Sequence, residues 1–535
     1  MSMGLRTGTT ISQCIKRNIL LTQRRCISTQ DQYKPVSTFI PEPPQQMSSD
    51  EENFEPDDRT YRLVNSIFQK HGSNKPGTIS FLPRDSDVVC TVTDEHQQTP
   101  YFKLDHYRYT ALRRAFVDAG FKRIFDSRDP EIQSMYENSW NVYWGRHLSP
   151  EKYEPIHALQ KVNHWPGSSQ LGRKDLLTVR LKRLEEFMGG SVVDFYPKTY
   201  LLPYDRALFD RDVAKKSKDS LYIMKPFAGS CGRGIQVMRS GDPIPSIPYA
   251  IQEYICNPYL INGHKFDLRL YVACTGIDPL RFYLHEDGLA RFATQPYDEN
   301  EINDRFSHLT NYSLNRHSDD FVNNEDPDDE ATGHKWSLIA LKRHIMQEVG
   351  IVRYEKLMDD IRDLIVKTMI SVEERINYKT KTVLDKRIDS CFELYGFDVM
   401  IDADLKPWLI EVNIMPSLSC SSPLDRKIKF KVLSELFHIV GVVPYDRTLD
   451  VNPQCERLLK YDADRMDEER YALQQAEDEL SRCVDFERIY PPISGDRNRY
   501  QHLFEEVVWK NDSLCRFEQS KENAVDLDSL HASLV

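Results

Sequence analysis

The sequence predicts an α+β fold, because short apolar strands and long amphipathic helices both recur along the chain. The clearest strand pair lies within Cys391–Leu418, where two runs rich in Val, Ile, Leu, Phe and Trp flank a short polar turn. Segments 336–349 and 355–376 carry apolar residues at helical spacing. Between about 100 and 150, mixed patterns indicate a small α/β subdomain at the N-terminal side.

Length and composition bound the class of protein. At 535 residues the chain predicts two or three domains, and its net charge of −12 and hydrophobic content of 40% are typical of soluble proteins. No apolar run is long enough for a membrane span. The 11 cysteines show no C-x-x-C spacing, which indicates reduced thiols in a cytosol-like compartment. We expect a monomer with no nucleic-acid partner.

The N-terminal segment has two interpretations. Residues 1–30 contain five Lys or Arg and no acid, and resemble a mitochondrial presequence with a processing point at "RRCIST". The other interpretation is a disordered basic extension, which we favour. Residues 31–58 are rich in Pro, Gln, Ser and acids, as linkers are.

The predicted strand pair contains three polar side chains, Asp398, Glu411 and Asn413. With the turn centred between residues 404 and 405, Asp398 lies directly opposite Glu411, and Asn413 points to the same face. Like charges at opposed positions repel. A divalent cation removes the repulsion, and oxygen ligands without His or Cys favour Mg²⁺. The alternative is a surface acid pair on an ordinary hairpin.

A candidate phosphate-binding element lies at Leu221–Met238. An apolar strand ends in Lys225, and a loop with Gly229, Gly232 and Gly234 leads to another apolar strand. Glycines let backbone N–H groups approach an anion closely, and the lysine adds a fixed positive charge. A tight hairpin with a solvated lysine would give the same pattern.

Two later strands add polar side chains. The segment "AIQEYI" carries Gln252 and Glu253, where backbone groups could contact an adenine edge. In "HKFDLRLYV", Lys265, Asp267 and Arg269 share one face. Cations beside a phosphate site are what phosphoryl chemistry requires, although a solvated outer face remains the alternative.

Taken together, these motifs resemble the tubulin–tyrosine-ligase-like family. The matching strings, in order over about residues 161–442, are "NHWPGSSQLGRKDLL", "YIMKP…GRGI", "IQEYI", "KFDLRLYV", "GLARFAT", "HLTNYS" and "FDVMID…KPWLIEVNIMPSL". "HEDGLARFAT" and "NIMPSLSCSSPLDRKIK" are most similar to the tubulin polyglutamylase subgroup.

The resemblance implies an ATP-grasp fold and an ATP-dependent ligase. An acceptor carboxylate attacks the γ-phosphate of ATP, and the amine of a free amino acid, here glutamate, displaces phosphate from the acyl phosphate. Tubulin C-terminal tails would be the acceptor, with Mg²⁺ as cofactor and the cytoplasm and cytoskeleton, including the cilium or basal body, as the location. Same-fold alternatives are a tubulin glycylase or tyrosine ligase. An alternative of another class is a non-catalytic microtubule-binding scaffold.

The resemblance also implies roles for individual residues. The implied metal ligands are Asp398, Glu411 and Asn413. The implied catalytic residues are Arg269, Arg291 and Lys265. The implied ATP-binding residues are Lys174, Lys225, Gly232, Arg233, Gly234, Gln252, Glu253, Tyr254, Ile255, Lys265, Asp267 and Asn311.

An acidic enzyme should be repelled by acidic tubulin tails at long range. Two basic clusters, Arg173–Arg183 and Asp425–Lys431, could override this repulsion by lining an acceptor groove. The residues expected to contact the acceptor are Arg173, Lys427, Lys429 and Lys431.

These observations predict five regions. They are a basic extension and linker at 1–58, an α/β subdomain at 59–160, a central ATP-grasp subdomain at 161–246, a C-terminal ATP-grasp subdomain with the magnesium site at 247–449, and a charged helix with a polar tail at 450–535.

Overall fold

The computed structural model describes most of the chain after residue 60. The described residues are 61–70, 77–83, 85–86, 88, 91–92, 99–105, 109–124, 139–227, 229, 232–326, 328, 330–384, 389–445, 468–496, 498–505 and 513–519. The predictions for 1–58 and 450–467, including the presequence and the linker, lie outside these residues. Within them, no helix is both long and apolar enough to cross a membrane.

Two small sheets come first. An antiparallel sheet of order β2-β1-β3 contains β1 (Arg62–Val64), β2 (Thr78–Ile79) and β3 (Thr91–Val92), with helix α1 (Ile67–Lys70) after β1. A parallel sheet of order β5-β4-β6-β7 contains β4 (Tyr101–Leu104), β5 (Lys122–Arg123), β6 (Val142–Trp144) and β7 (Lys161–Val162). Helix α2 (Thr110–Asp118) connects β4 to β5, as parallel neighbours require a crossover. Helix α3 (Pro150–Tyr153) follows β6.

Two helices lead into a third sheet. They are α4 (Ser169–Gly172) and α5 (Lys174–Met188). The sheet is antiparallel with order β10-β9-β11-β8, and contains β8 (Thr199–Leu202), β9 (Leu221–Pro226), β10 (Gln236–Arg239) and β11 (Tyr249–Glu253). Helix α6 (Arg206–Val213) packs the ring of Phe209 edge-on against Tyr200 and Tyr222, which gives this sheet its own apolar cluster.

The largest sheet has eight strands and is antiparallel. They are β12 (Leu260–Ile261), β13 (His264–Ile277), β14 (Leu280–His285), β15 (Leu289–Phe292), β16 (Lys335–Ser337), β17 (Glu393–Ile401), β18 (Pro407–Asn413) and β19 (Phe486–Tyr490). The 14-residue strand β13 pairs with β12, β14, β15 and β17, and β17 pairs with β18. The long central strand therefore connects most of the sheet.

The remaining helices surround this sheet. They are α7 (Arg305–His308), α8 (Tyr312–Asn315), α9 (Leu338–Val349), α10 (Ile351–Leu384), α11 (Pro423–Val440) and α12 (Glu468–Ser481), followed by a 3-10 turn at Gln501–Leu503 and a helical segment at 513–519. Side chains cap three of them: Asp304 accepts from Phe306 N, Ser337 from Ala340 N and Ser422 from Asp425 N. The predicted start of a helix at residue 336 is wrong, because β16 extends through Ser337.

Apolar side chains cover both faces of the central strand. Leu268, Leu270 and Val272 belong to one buried cluster, while Tyr271 and Ala273 belong to another on the opposite face. The N-terminal half of the second face carries the polar residues of the predicted site, and these are buried too. The alternative of a solvated outer face is therefore wrong. The mixed α+β class is confirmed.

The segment predicted as a polar tail differs from expectation. Its strand β19 pairs with β14 and extends the large sheet. Helix α12 buries the Glu479 carboxylate, which accepts from Thr275 Oγ1 at 2.7 Å, Arg281 Nε at 2.9 Å and Tyr283 OH at 3.1 Å. A glutamate of the predicted charged helix therefore neutralises a buried arginine.

Two other predicted boundaries fall inside sheets. The boundary at 160/161 separates β7 from its parallel partner β6, and the boundary at 246/247 separates β11 from β8 and β9. Both β7 and β11 follow long connections in the sequence, so chain order did not indicate their pairing.

The Glu479–Arg281 pair should contribute strongly to stability. We expect Glu479→Ala to lower the free energy of unfolding by about 3–5 kcal/mol, because it leaves the buried guanidinium without an anionic partner. Urea denaturation measures this change. Glu469→Ala, an exposed position of the same helix, is the control and should change the midpoint little. Equal midpoints for both variants would contradict the assignment.

Candidate functional site

The site is built on the strand pair β17–β18. Asp398 lies directly opposite Glu411, as predicted. The predicted turn centre is nevertheless wrong, because the strand ends pair Ile401 with Pro407, and a bulge next to Asp398 shifts the register by one residue. The bulge restores the opposition of the two acids.

Asn413 joins this acid pair. Its Nδ2 lies 3.4 Å from Asp398 Oδ2 and 3.5 Å from Glu411 Oε1. Both carboxyl groups are largely or fully buried within the fold. Two carboxylates and an amide therefore converge on one point, which is a donor set that suits Mg²⁺.

Two arginines hold Asp398. Arg269, opposite it on β13, donates from Nε at 2.6 Å and from Nη2 at 3.1 Å. Arg291 on β15 donates from Nη2 at 2.9 Å, and also binds Asp267 through two bonds of 2.7 and 2.6 Å. Burial opposes ionisation of Asp398, but the two guanidinium groups lower its pKa to about 2. The carboxylate is therefore anionic.

Two lysines approach from other elements. Lys174, the first residue of α5, places Nζ 2.8 Å from Glu411 Oε2. Burial opposes the charge of Glu411, and Lys174 keeps its pKa below the usual value. Lys225 Nζ donates to Gln252 Oε1 at 2.6 Å across β9 and β11, and burial lowers the pKa of Lys225 to about 8.

A third lysine belongs to a short hydrogen-bonded chain. Lys265 Nζ donates to the Tyr254 hydroxyl at 2.7 Å, and this hydroxyl lies 2.6 Å from His308 Nδ1. Burial lowers the pKa of Lys265 to about 7.

The glycine loop lies beside these lysines. Gly232 and Gly234 both have φ of +70°, a conformation that favours glycine. A Cβ on Gly232 would lie 3.0 Å from Asn311 Oδ1, so a side chain there would crowd Asn311. A narrow cleft lies here, lined by Lys174, Pro226, Gly229, Gly232, Arg233, Ile235, Asn311 and Glu411.

The charges of the site favour an anionic ligand. The residues just described include five cations (Lys174, Lys225, Lys265, Arg269 and Arg291) and three carboxylates (Asp267, Asp398 and Glu411). Two of the cations have lowered pKa values, and a polyphosphate would reverse that effect. The carboxylates could supply oxygen ligands to a divalent ion beside it.

Not every predicted ATP-binding residue directs its side chain to the site. The Glu253 carboxylate forms an ion pair with Lys216 at 2.7 Å, whereas the Gln252 side chain lies on the opposite face of β11. Arg233 is exposed on the loop, and Ile255 is half-buried after β11.

The predicted acceptor cluster is partly wrong. Lys429 is buried and forms an ion pair with Asp425 at 3.0 Å, so it cannot line an open groove. Positions 427 and 429 are two residues apart on α11 and point to different faces. Lys427 and Lys431 are half-exposed, at 48% and 46%, and pair with Glu330 and Asp485. Both side chains are therefore exposed enough to contact an acceptor.

Arg173 lies at the start of α5, and its guanidinium binds Asp175 at 2.8 Å. About a third of the Arg173 side chain is exposed. The role of Arg173 in acceptor binding therefore stays a prediction.

The sequence analysis missed Lys335 and Asp425. Lys335 pairs with Arg291 across β15 and β16, and its Nζ lies 2.7 Å from Asp425 Oδ2. The Nζ also lies 3.5 Å from the centre of the Tyr312 ring. No local motif marks the pair, because 90 residues separate its members. The row of cations formed by Arg269 and Arg291 thus continues to Lys335.

Comparison with known proteins decides the family. Residues 151–450 match the model described as the Tubulin-tyrosine ligase family. The chain belongs to this family. It is 45% identical over 311 residues to human tubulin polyglutamylase TTLL5, covering 57% of this chain and 24% of that protein. It is 36% identical over 514 residues to human tubulin monoglutamylase TTLL4, covering 87% of this chain and 41% of that protein.

A shorter relative is covered more fully. The Caenorhabditis elegans tubulin polyglutamylase ttll-4 is 34% identical over 416 residues, which is 71% of this chain and 67% of that protein. The chain spans less than half the length of the two human relatives. Their names include both monoglutamylase and polyglutamylase.

The lowered pKa of Lys265 predicts proton uptake on nucleotide binding. At pH 8 this lysine is mostly neutral and Lys225 is about half neutral, and phosphate charge should raise the pKa of both, so Mg-ATP binding should take up roughly one to two protons, the larger part at Lys265. Affinity should therefore fall as pH rises from 7 to 9. Calorimetry in two buffers of different ionisation enthalpy measures the uptake.

Lys265→Met should reduce this uptake, whereas Lys216→Met on the far face of β11 should leave it unchanged. Nucleotide binding without proton uptake by the unaltered protein would contradict the proposed contact.

Proposed function

We propose that this protein is an ATP-dependent ligase that adds glutamate to glutamate side chains in the C-terminal tails of tubulin. The observation that carries the proposal is the opposed pair Asp398 and Glu411, held by Arg269, Arg291 and Lys174 in a chain of this family. In this proposal the third and fourth sheets are the two halves of an ATP-grasp fold, and ATP binds between them.

The proposed reaction has two steps. An acceptor carboxylate oxygen attacks the γ-phosphorus of ATP, the bond to the bridging oxygen breaks, and ADP leaves with an acyl phosphate formed. The neutral amine of free glutamate then attacks the acyl carbon, phosphate leaves with the bonding electrons, and the amide forms with loss of a proton. Neither step requires a nucleophilic side chain of the enzyme.

The side chains have distinct roles in this proposal. Lys174 and Lys225 bind the phosphates, and Arg269 and Arg291 stabilise the charge that develops at the transferred phosphoryl group. Backbone groups of Glu253, Tyr254 and Ile255 contact the adenine.

The residues fit a magnesium ion. Asp398, Glu411 and Asn413 would hold it, since both carboxylates lie beside the Asn413 amide group, whose oxygen would turn toward the ion, and hard oxygen ligands are what Mg²⁺ prefers. When bound, the ion would neutralise phosphate charge during transfer. The lysines and arginines named above would stabilise the rest of the phosphate charge.

The product and the place of action follow from the same proposal. Relatives named as monoglutamylase and as polyglutamylase both match, so the proposal of chain extension rests on the polyglutamylase-like motifs of the sequence. The proposed location is the microtubule cytoskeleton, including cilia.

The state of the cysteines agrees with this location. The six described cysteines are free thiols, consistent with a reducing compartment.

The amino-acid substrate can be tested directly. Pure protein with Mg-ATP and microtubules should incorporate radiolabelled glutamate, while glycine and tyrosine should give background counts. Incorporation of glycine or tyrosine but not glutamate would replace this proposal with the glycylase or tyrosine ligase alternative.

The metal ligands can be tested by Glu411→Gln. We expect loss of ligase activity by at least about a hundredfold, because the magnesium site loses one anionic ligand. Thermal unfolding and circular dichroism should show a folded protein. Full activity in this variant would favour the non-catalytic scaffold.

The acceptor surface can be tested by reversing two charges. Lys427→Glu with Lys431→Glu should raise the KM for microtubules several-fold at low salt and leave Mg-ATP affinity unchanged, because both side chains are exposed. Lys356→Glu with Lys381→Glu, exposed on α10, makes the same charge change elsewhere. Equal KM values for the two double variants would exclude this surface.

A further inference from the structure

A second polar cluster is centred on Glu393, at the start of the strand that carries Asp398. The Glu393 carboxylate is fully buried and accepts four hydrogen bonds. Its Oε1 accepts from His164 Nδ1 at 2.7 Å and from Ser168 Oγ at 2.9 Å. Its Oε2 accepts from Trp165 N and Tyr395 OH, both at 3.1 Å.

A second histidine completes the cluster. His147 Nε2 lies 2.6 Å from Ser168 Oγ, and its ring stacks on that of His164 with centroids 4.0 Å apart. Burial lowers the pKa of His147 to about 4 and that of His164 to about 3, so both rings are neutral at pH 7. The His147 proton therefore points to Ser168, whose own proton points to Glu393.

The cluster contains the residue types of a zinc site but not its arrangement. A zinc ligand needs a free lone pair, whereas both oxygens of Glu393 already accept two hydrogen bonds each. A buried carboxylate that accepts this full set of hydrogen bonds typically has a structural role, because it holds the donor segments together.

Three of the four bonds reach the segment 164–168, which leads directly to the nucleotide site. Ser168 immediately precedes α4, and α4 continues through Arg173 to Lys174. At the end of α4 the packing is close, because a Cβ on Gly172 would lie 2.9 Å from the side chain of Ile414. The segment is therefore held by Glu393 at one end and by the β18 terminus at the other.

We propose that Glu393 is a positioning residue for Lys174. It fixes the segment 164–173 to the strand that carries Asp398, and so sets the distance between the Lys174 ammonium and the acid pair. The inference rests on the nucleotide site of the proposed function.

A double-mutant cycle on Mg-ATP binding tests the coupling. Glu393→Gln should raise the Kd for Mg-ATP roughly tenfold, since displaced groups lose contacts that depend on geometry. Lys174→Met should raise it as well. The double variant should bind no more weakly than Lys174→Met, because Glu393 acts through that lysine. Calorimetry gives each Kd, and circular dichroism checks folding.

Glu373→Gln is the matched control. Burial raises the pKa of both Glu393 and Glu373 to about 7, but Glu373 lies on α10 and accepts from Asn377 at 2.9 Å. Its substitution should leave the Kd unchanged, alone and together with Lys174→Met. A tenfold rise in the Kd of this control would mean that removing any buried charge weakens Mg-ATP binding to the same extent.

Each outcome decides between alternatives. If the effects of Glu393→Gln and Lys174→Met on the Kd multiply in the double variant, the positioning role is overturned and the proposed function stays intact. An unaltered protein that binds no Mg-ATP would overturn both. If Glu393→Gln does not fold, Ser168→Ala replaces it in the cycle, since it removes one donor and the link to His147. Multiplicative changes there would equally overturn the inference.

Discussion

The candidate site depends on keeping two carboxylates close together inside the protein. Asp398 and Glu411 oppose each other across β17 and β18, and burial disfavours the charge on both. The fold offsets this cost by surrounding them with cations from four separate elements: α5, β9, β13 and β15. Each cation is itself buried or nearly so, and would be unfavourable without the acids. The acids and the cations therefore require each other, which makes the network sensitive to the loss of any member.

The sequence predicts this centre well because its key residues are local. Asp398 and Glu411 lie on adjacent strands joined by a short turn, so counting residues places them within one position of each other. Lys225 ends an apolar strand before a glycine loop, and Arg269 lies on an alternating strand. The bulge beside Asp398 was not predictable by counting, because an extra residue in one strand leaves the hydrophobic pattern almost unchanged.

Interactions between distant segments were not predictable. Lys335 and Asp425 are separated by 90 residues, and Arg281 and Glu479 by 198. In each case the local pattern suggests a solvated charge, and burial comes from packing that no single segment encodes. The role given to Lys429 failed for a different reason. Helical geometry separates alternate residues by about 200°, so a run of lysines at every second position cannot share one face.

Strand β19 lies outside residues 151–450, which match the family, yet it occupies the outer edge of the large sheet beside β14. A fragment that ends at residue 450 would expose the backbone N–H and C=O groups of β14 along that edge. Unpaired strand edges recruit strands from other molecules. The region that matches the family model is thus smaller than the unit that closes the sheet, and truncation at its limit would favour self-association over a monodisperse protein.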